Sequence, residues 1–291
     1  MPKSLTIDLN YNCNNDCQFC FNLYDKTKPF SVEQAKESIV AAKEQGVSSL
    51  DFYGGEPLLY KEDLVALLTY AHQLGLVSNL ATNSTLLDAD LITQFNNLGV
   101  RSIRTTLHGS NASMHDFITR RPGSFEQTIT ALQLLAANYQ GIIIVNIVVT
   151  QLNYKFLQDI VNLINQLDPE GRIVLKFSHL FFNGQAEVYQ RLGVGLSQVQ
   201  PYLAQVVSDL AKQNKKFYLE KYPYCLALPF RNNFLAEADW DQKNIIWTTT
   251  CNACEFKNQG CLGFNVNYGK CIANPETEVK LLKQFSYDSF K

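Results

Sequence analysis

The sequence predicts an α/β fold: a partial barrel of six strand–helix units followed by a small, irregular, cysteine-rich C-terminal extension. Three observations carry that expectation. Short β-like runs alternate with helix-like runs, helix ends are marked by capping residues and glycines, and the rhythm stops near Tyr222. Strands that alternate with helices need right-handed crossovers, which make the sheet parallel and gather functional residues at the C-terminal strand ends.

The units follow in order. "SLTIDLN" precedes a helix over Ser31–Gln45, where Ser31 and Gln34 form a capping box and Gly46 closes the far end. "SSLDFY" precedes Lys61–Leu74, closed by Gly75, and "LVSNLAT" precedes Asp88–Leu98, closed by Gly99. "RSIRTTL" leads to Phe125–Asn138, "IIIVNIVVT" to Tyr154–Leu167, and "RIVLKFS" to Ser197–Lys212. "KKFYLEKY" reads as one more strand. The expected division is a TIM-type partial (β/α)6 barrel over residues 1–215 and an appendage over 216–291 that packs on it.

Composition bounds the function. The chain has 291 residues, 46% hydrophobic, enough for one large domain with an appendage. Twenty-five basic residues against 27 acidic give a net charge of −2, so nothing global points to nucleic acid or an anionic membrane. "MPKSLTIDLN" lacks the apolar core of a signal peptide and "GIIIVNIVVT" is too short to span a bilayer, so a cytoplasmic protein is expected. In that compartment eight cysteines argue for metal or cluster ligation over disulfides. Cys13, Cys17 and Cys20 lie at one end, Cys225, Cys251, Cys254, Cys261 and Cys271 at the other, which implies two sites.

The first site is the more telling. "CNNDCQFC" sets three cysteines at Cys-x3-Cys-x2-Cys directly after the first strand, with the next cysteine about two hundred residues away. A structural zinc ion wants four closed ligands, and His72, His108, His115 and His179 do not stand at ligand spacing from the triplet. A [4Fe–4S] cluster held by three thiolates keeps one iron open for a substrate or cofactor. "GGEP", Gly54–Pro57, ends the second strand, where paired glycines let backbone approach closely and Glu56 adds negative charge.

The triplet, its Phe19, and "GGEP" together resemble the radical SAM superfamily over residues 1 to about 190. That resemblance implies that Cys13, Cys17 and Cys20 hold a [4Fe–4S] cluster whose fourth iron chelates S-adenosylmethionine. It implies that Phe19 packs near the adenine and that Gly54, Gly55 and Glu56 receive the methionine amino group. Asn83 in "ATNST", Thr106 in "TTLHGS" as a ribose contact, and Arg120 in "HDFITRRPGSF" as the carboxylate partner, with Arg121 beside it, complete the implied set. An arginine suits that task because its planar fork pairs with a carboxylate at two points. Asn146 and Gly184 are further contacts, or else a strand Asn with a bonded side chain and a loop Gly. His108 and His115 are either acid–base groups at the barrel mouth or residues that orient their loop.

Cys251-x2-Cys254-x6-Cys261, with Cys225 upstream in "YPYCLALPF", resembles the auxiliary-cluster extension of SPASM and twitch-type members of that family, in abbreviated form. The implied ligands are Cys225, Cys251, Cys254 and Cys261, with Cys271 spare and room for one second [4Fe–4S] cluster; a zinc ribbon is the alternative. Such an enzyme takes an electron from a donor such as flavodoxin or ferredoxin, cleaves S-adenosylmethionine to a 5′-deoxyadenosyl radical, and abstracts hydrogen from its substrate. The expected substrate is a ribosomally made peptide, although nothing ahead of Ser4 houses a leader-binding domain. A small-molecule metabolite such as a nucleoside, sugar or amino acid derivative is the next reading, and a non-catalytic Fe–S or zinc redox protein the reading from another class.

Overall fold

The computed structural model describes residues 3–21, 30–180, 182–235, 245–261, 263–265 and 274–286. Its first half alternates strand and helix: β1 (Lys3–Asp8), α1 (Val32–Glu44), β2 (Val47–Tyr53), α2 (Lys61–Gln73), β3 (Val77–Ala81), α3 (Ala89–Asn97) and β4 (Ser102–Thr106). Then come α4 (Ala112–Thr119), α5 (Ser124–Asn138), β5 (Ile142–Val149), α6 (Leu157–Leu167) and β6 (Ile173–His179). A single turn α7 (Gln185–Val188), α8 (Leu196–Lys212) and β7 (Phe217–Glu220) complete the sheet.

The capping residues do what their chemistry suggests. Ser31 Oγ accepts the Gln34 N–H at 3.2 Å and opens α1, while Asp88 Oδ1 accepts the Leu91 N–H at 2.8 Å and opens α3. All seven strands run parallel in the order β1 to β7, and the sheet is not closed into a full barrel. The seven strands are those of the six expected units and the one more strand read in "KKFYLEKY", which forms β7, pairs with β6 and carries the sheet to Glu220. The addition is α4, an eight-residue helix opened by Asn111, whose side chain accepts the Met114 N–H at 3.0 Å.

Alternation along the strands sorts the sheet's two faces. Leu50, Phe52, Ile103, Ile143, Val145, Phe177 and Leu219 are fully buried on the face that packs on helical residues such as Ile39, Leu64, Ile92, Leu132 and Leu203. The opposite face carries mostly polar side chains.

The described residues beyond Glu220 include β8 (Ile245–Ile246), α9 (Thr249–Asn252), β9 (Phe264–Asn265) and α10 (Pro275–Gln284), with β8 and β9 antiparallel. They dock on α8. Gln200, 1% exposed, donates to the carbonyls of Cys225, Leu226 and Leu282 at 3.0–3.1 Å, and Glu278 accepts from Ser197 N–H and Oγ at 2.6 and 3.0 Å. No described helix is long and apolar enough to cross a membrane.

Candidate cofactor and metal sites

The loop from Cys13 to Cys20 leaves the C-terminal end of β1 and is pinned from several neighbouring strand ends. From β2, the N–H groups of Gly55 and Glu56 donate to the carbonyls of Asn10 and Asn12, both at 2.7 Å. Two glycines are needed for that approach: a Cβ on Gly54 would stand 2.4 Å from the Asn10 carbonyl oxygen, and one on Gly55 2.0 Å from that of Asn12. From β3, Asn83 donates to Asn14 Oδ1 at 2.7 Å and toward Cys13 Sγ at 3.7 Å. From α4, the carbonyls of Thr119 and Ile118 accept the N–H groups of Asp16 and Gln18 at 3.0 Å. Beyond β6, Gln185 N–H donates to the Cys20 carbonyl at 2.8 Å, and Gly184 lies so close to Cys20 and Phe21 that a Cβ there would meet the Cys20 oxygen at 2.5 Å.

Glu56 is 0% exposed, and its carboxylate is already engaged by the chain. It accepts from Leu58 N–H at 2.9 Å, Thr82 Oγ1 at 2.5 Å and Asn83 N–H at 2.7 Å. Burial raises its pKa and these three donors oppose the rise. Phe19 meets His108 edge to face at 4.6 Å. His108 is fully buried, and His115 Nδ1 accepts its backbone N–H at 3.2 Å, so His115 orients this loop. Burial lowers the pKa of both histidines, that of His115 to about 4, which keeps the rings neutral near pH 7.

Arg120 closes α4 in the left-handed conformation at φ 56° and is turned outward: it pairs with Asp16 at 3.2 Å and bonds the Tyr189 hydroxyl. It borders an open pocket of about 560 Å³ shared with Gln18, Phe117 and Arg191. Arg121 donates to the Asn14 carbonyl at 2.7 Å and so reaches the cysteine loop itself. Thr106 stands opposite Asn146 in the β4–β5 register, and Asn146 Oδ1 accepts from Ser178 Oγ at 2.6 Å.

The donor set of the first loop fits an iron–sulfur cluster. Burial pushes the Cys13 and Cys17 thiols up, and the neighbouring thiolates push Cys17 further, so a cationic group among them relieves a repulsion. In the extension, Cys225, Cys251, Cys254 and Cys261 line one cavity of about 480 Å³ walled by Tyr224, Trp247 and Phe256. Two donors aim at its sulfurs: Tyr224 N–H to Cys261 Sγ at 3.5 Å and Thr248 Oγ1 to Cys251 Sγ at 3.3 Å. Burial, and then Cys261 and Cys251, push the Cys225 thiol up to about 12. Among the described residues, no three His, Cys, Asp or Glu side chains stand at the spacing of one bound ion. Cys271 lies outside the described residues.

The sequence reading passed over Asn14, Thr85 and Gln185, which brace the loop, and Arg104, Lys176 and Glu220, which stand on the inner face. The latter had a signal: strand after strand is apolar at one set of alternate positions and polar at the other.

Residues 7–164, just over half of the chain, match the family described as the radical SAM superfamily. The chain is 30% identical over 137 residues to the "AdoMet-dependent heme synthase" of Methanosarcina barkeri (strain Fusaro / DSM 804), across 46% of this chain and 39% of that protein. It is 31% identical over 163 residues to the protein of the same name from Oleidesulfovibrio alaskensis (strain ATCC BAA-1058 / DSM 17464 / G20), across 54% and 40%. It thus spans about two fifths of the length of these curated relatives. Among solved structures, Streptococcus suis SuiB bound to precursor peptide SuiA superposes with a TM-score of 0.64 at 17% identity, over 79% of this chain and 51% of that one. anSMEcpe with bound AdoMet and the Kp18Cys peptide superposes at 0.58 and 16%, over 75% and 64%. At such identities the likeness speaks for the fold.

Proposed function

The chain belongs to the radical SAM superfamily, and on that premise we propose that it is an enzyme that abstracts a hydrogen atom from a peptide, using a [4Fe–4S] cluster on Cys13, Cys17 and Cys20. When bound, the reduced cluster and S-adenosylmethionine supply a 5′-deoxyadenosyl radical. The chain's own part is to hold and shield. Gly54 and Gly55 keep the strand end free of side chains, Asn83 directs its N–H at the Cys13 sulfur, and Phe19 covers one side against His108. Glu56 works through its neighbours: it ties the β2 and β3 ends together and so sets Asn83. Arg120 takes the cofactor carboxylate by exchanging Asp16 for it, and Thr106 and Asn146 face the ribose.

The observation that carries the radical reading is the three-cysteine loop, held by backbone bonds from neighbouring elements, within the segment that matches the family. For the peptide, support comes from the likeness of the open sheet to that of SuiB, whose solved structure holds precursor peptide SuiA. A small-molecule metabolite is the second reading, favoured by the identity to relatives named heme synthases. The extension, residues 216–291 in outline, holds a second [4Fe–4S] cluster on Cys225, Cys251, Cys254 and Cys261 in the manner of SPASM or twitch-type members. An external donor of the flavodoxin or ferredoxin kind supplies electrons in the cytoplasm, where thiols stay reduced. Nucleic acid and membrane play no part.

Anaerobically reconstituted protein given dithionite and S-adenosylmethionine should release 5′-deoxyadenosine, and Cys17→Ala should release none. Zinc at those thiols with no nucleoside formed would sink the reading. Deuterated peptide and metabolite fractions separate the two substrates, because deuterium enters 5′-deoxyadenosine only from the fraction that holds the substrate.

A further inference from the structure

The sequence singles out His108, and no role above gives the nitrogens of its ring a task. The backbone that carries the ring is held twice: His115 Nδ1 accepts the His108 N–H at 3.2 Å, and Asn153 Nδ2 donates to the His108 carbonyl at 3.1 Å. Asn153 is itself fully buried, fixed by the Thr150 N–H at 2.8 Å and by its own donation to the Val148 carbonyl at 3.0 Å. Gly109 lets the loop fold back on α4, since a Cβ there would stand 2.7 Å from the His115 backbone nitrogen. The ring is thus placed by α4 and by the turn after β5, and not by its own polar atoms.

His108 is 0% exposed, and among the described residues neither Nδ1 nor Nε2 has a hydrogen-bond partner. A neutral imidazole carries one N–H donor and one acceptor nitrogen, so one of each is buried and unused. Side-chain polar atoms inside a fold are normally paired, because burial strips their hydration and only a partner replaces it. The same condition recurs in the thiol loop: Asn10 Oδ1 and Asn15 Oδ1, on either side of Cys13 in the chain, are buried with no partner among the described residues. Unused polar atoms therefore stand both on that loop and on the ring that touches it.

The ring's neighbours indicate the kind of group it meets. Phe19, one residue ahead of Cys20, lies edge to face against His108 with ring centroids 4.6 Å apart, and His115 lies nearly parallel to it at 5.9 Å. Burial keeps both imidazoles neutral near pH 7. A neutral donor and acceptor beside an aromatic face suit an uncharged heteroaromatic with donors and acceptors on its rim, and suit the ammonium and carboxylate of an amino acid poorly. A neutral ring also exerts no repulsion on a sulfonium cation.

We propose that His108 is a binding residue for the adenosine half of S-adenosylmethionine, its imidazole hydrogen-bonding the nucleoside beside Phe19. This role presupposes the cofactor proposed above and goes further by assigning one half of it to a buried ring on the loop after β4.

Calorimetric titration of the anaerobically reconstituted full chain, without reductant so that nothing is cleaved, tests it. The probes are S-adenosylmethionine, 5′-deoxyadenosine and methionine. His108→Phe should weaken the first two about tenfold and leave methionine unchanged. His108→Asn keeps a polar atom near Nδ1 and His108→Gln keeps one near Nε2, and at least one of them should hold affinity within about threefold of wild type. Urea denaturation of the apo variants gives a reading apart from the cofactor: the apolar His108→Phe should be at least as stable as either polar variant. The reverse order would show that the nitrogens serve the fold, and it overturns the role. Unchanged S-adenosylmethionine affinity in His108→Phe, a loss that falls on methionine instead of the nucleoside, or no rescue by either polar variant overturns it too. Wild-type protein that binds no S-adenosylmethionine overturns the family chemistry together with this role, whereas wild-type binding that His108→Phe leaves intact overturns this role alone.

Discussion

The Glu56 carboxylate accepts the Asn83 N–H at 2.7 Å, and Asn83 in turn directs its side-chain N–H at Cys13 Sγ, 3.7 Å away. A buried acid at the end of β2 thereby positions a donor at the thiol loop by way of β3. Glu56→Ala would leave the donors of Leu58, Thr82 and Asn83 buried without an acceptor. The expected cost is about 3 kcal/mol, read from the urea midpoint of the apo protein. An unchanged midpoint would show that the carboxylate serves a ligand and not the fold.

With the cluster held as proposed, Asn83→Ala removes a donor to the Cys13 sulfur while leaving the three thiols in place. Such donors stabilise the more negative, reduced cluster, so the variant's potential should fall. Redox titration followed by electron paramagnetic resonance measures the shift; a rise, or none, contradicts the assignment.

Gly55→Ala should be far more damaging than Gly46→Ala. The first places a methyl 2.0 Å from the Asn12 carbonyl oxygen, whereas the second meets nothing within 4 Å and carries only the strain of φ 83°. Gly46→Ala should cost about 1 kcal/mol. Gly55→Ala should displace the segment ahead of Cys13 and lower the iron content as well as the melting temperature.

Asp116 gives a pH signature. Burial raises its pKa, but Phe125 N–H at 2.7 Å, Gly123 N–H at 2.6 Å and Ser124 Oγ at 2.9 Å outweigh that and hold it below the usual value of 3.8. A carboxylate depressed in the folded state adds stability above its unfolded pKa and loses it as pH falls through the folded one. Asp116→Asn should therefore be less stable than wild type at pH 6, by well under ~1 kcal/mol because solvent screens this mostly exposed carboxylate, and the gap should close below pH 3.8. Chemical denaturation at several pH values checks the sign.

Iron counting separates the two sites. Wild-type protein reconstituted anaerobically should carry about eight irons per chain, Cys251→Ser about four, and Cys271→Ser the full complement. Zinc retained at Cys251, Cys254 and Cys261 with four irons elsewhere would make the extension a zinc ribbon.

Much of this was legible in the sequence because it is local. Ser31 and Asp88 cap helices with their own hydroxyl and carboxylate, and the βα rhythm follows from residue spacing alone. α4 escaped because eight residues with one apolar turn, "ASMHDFIT", give too little periodicity to notice. The inner-face cluster escaped for another reason: Arg104, Lys176 and Glu220 come from three strands, and only the register places them together. Glu56 was read as an acceptor for the cofactor's amino group, and no pattern in "GGEP" reveals that three donors from its own chain occupy it.

Backbone bonds from β2, α4 and the α7 turn hold the loop of Cys13, Cys17 and Cys20 in shape. Three distant stretches of chain thus share custody of the thiols, so damage to any one of them should be felt at all three sulfurs.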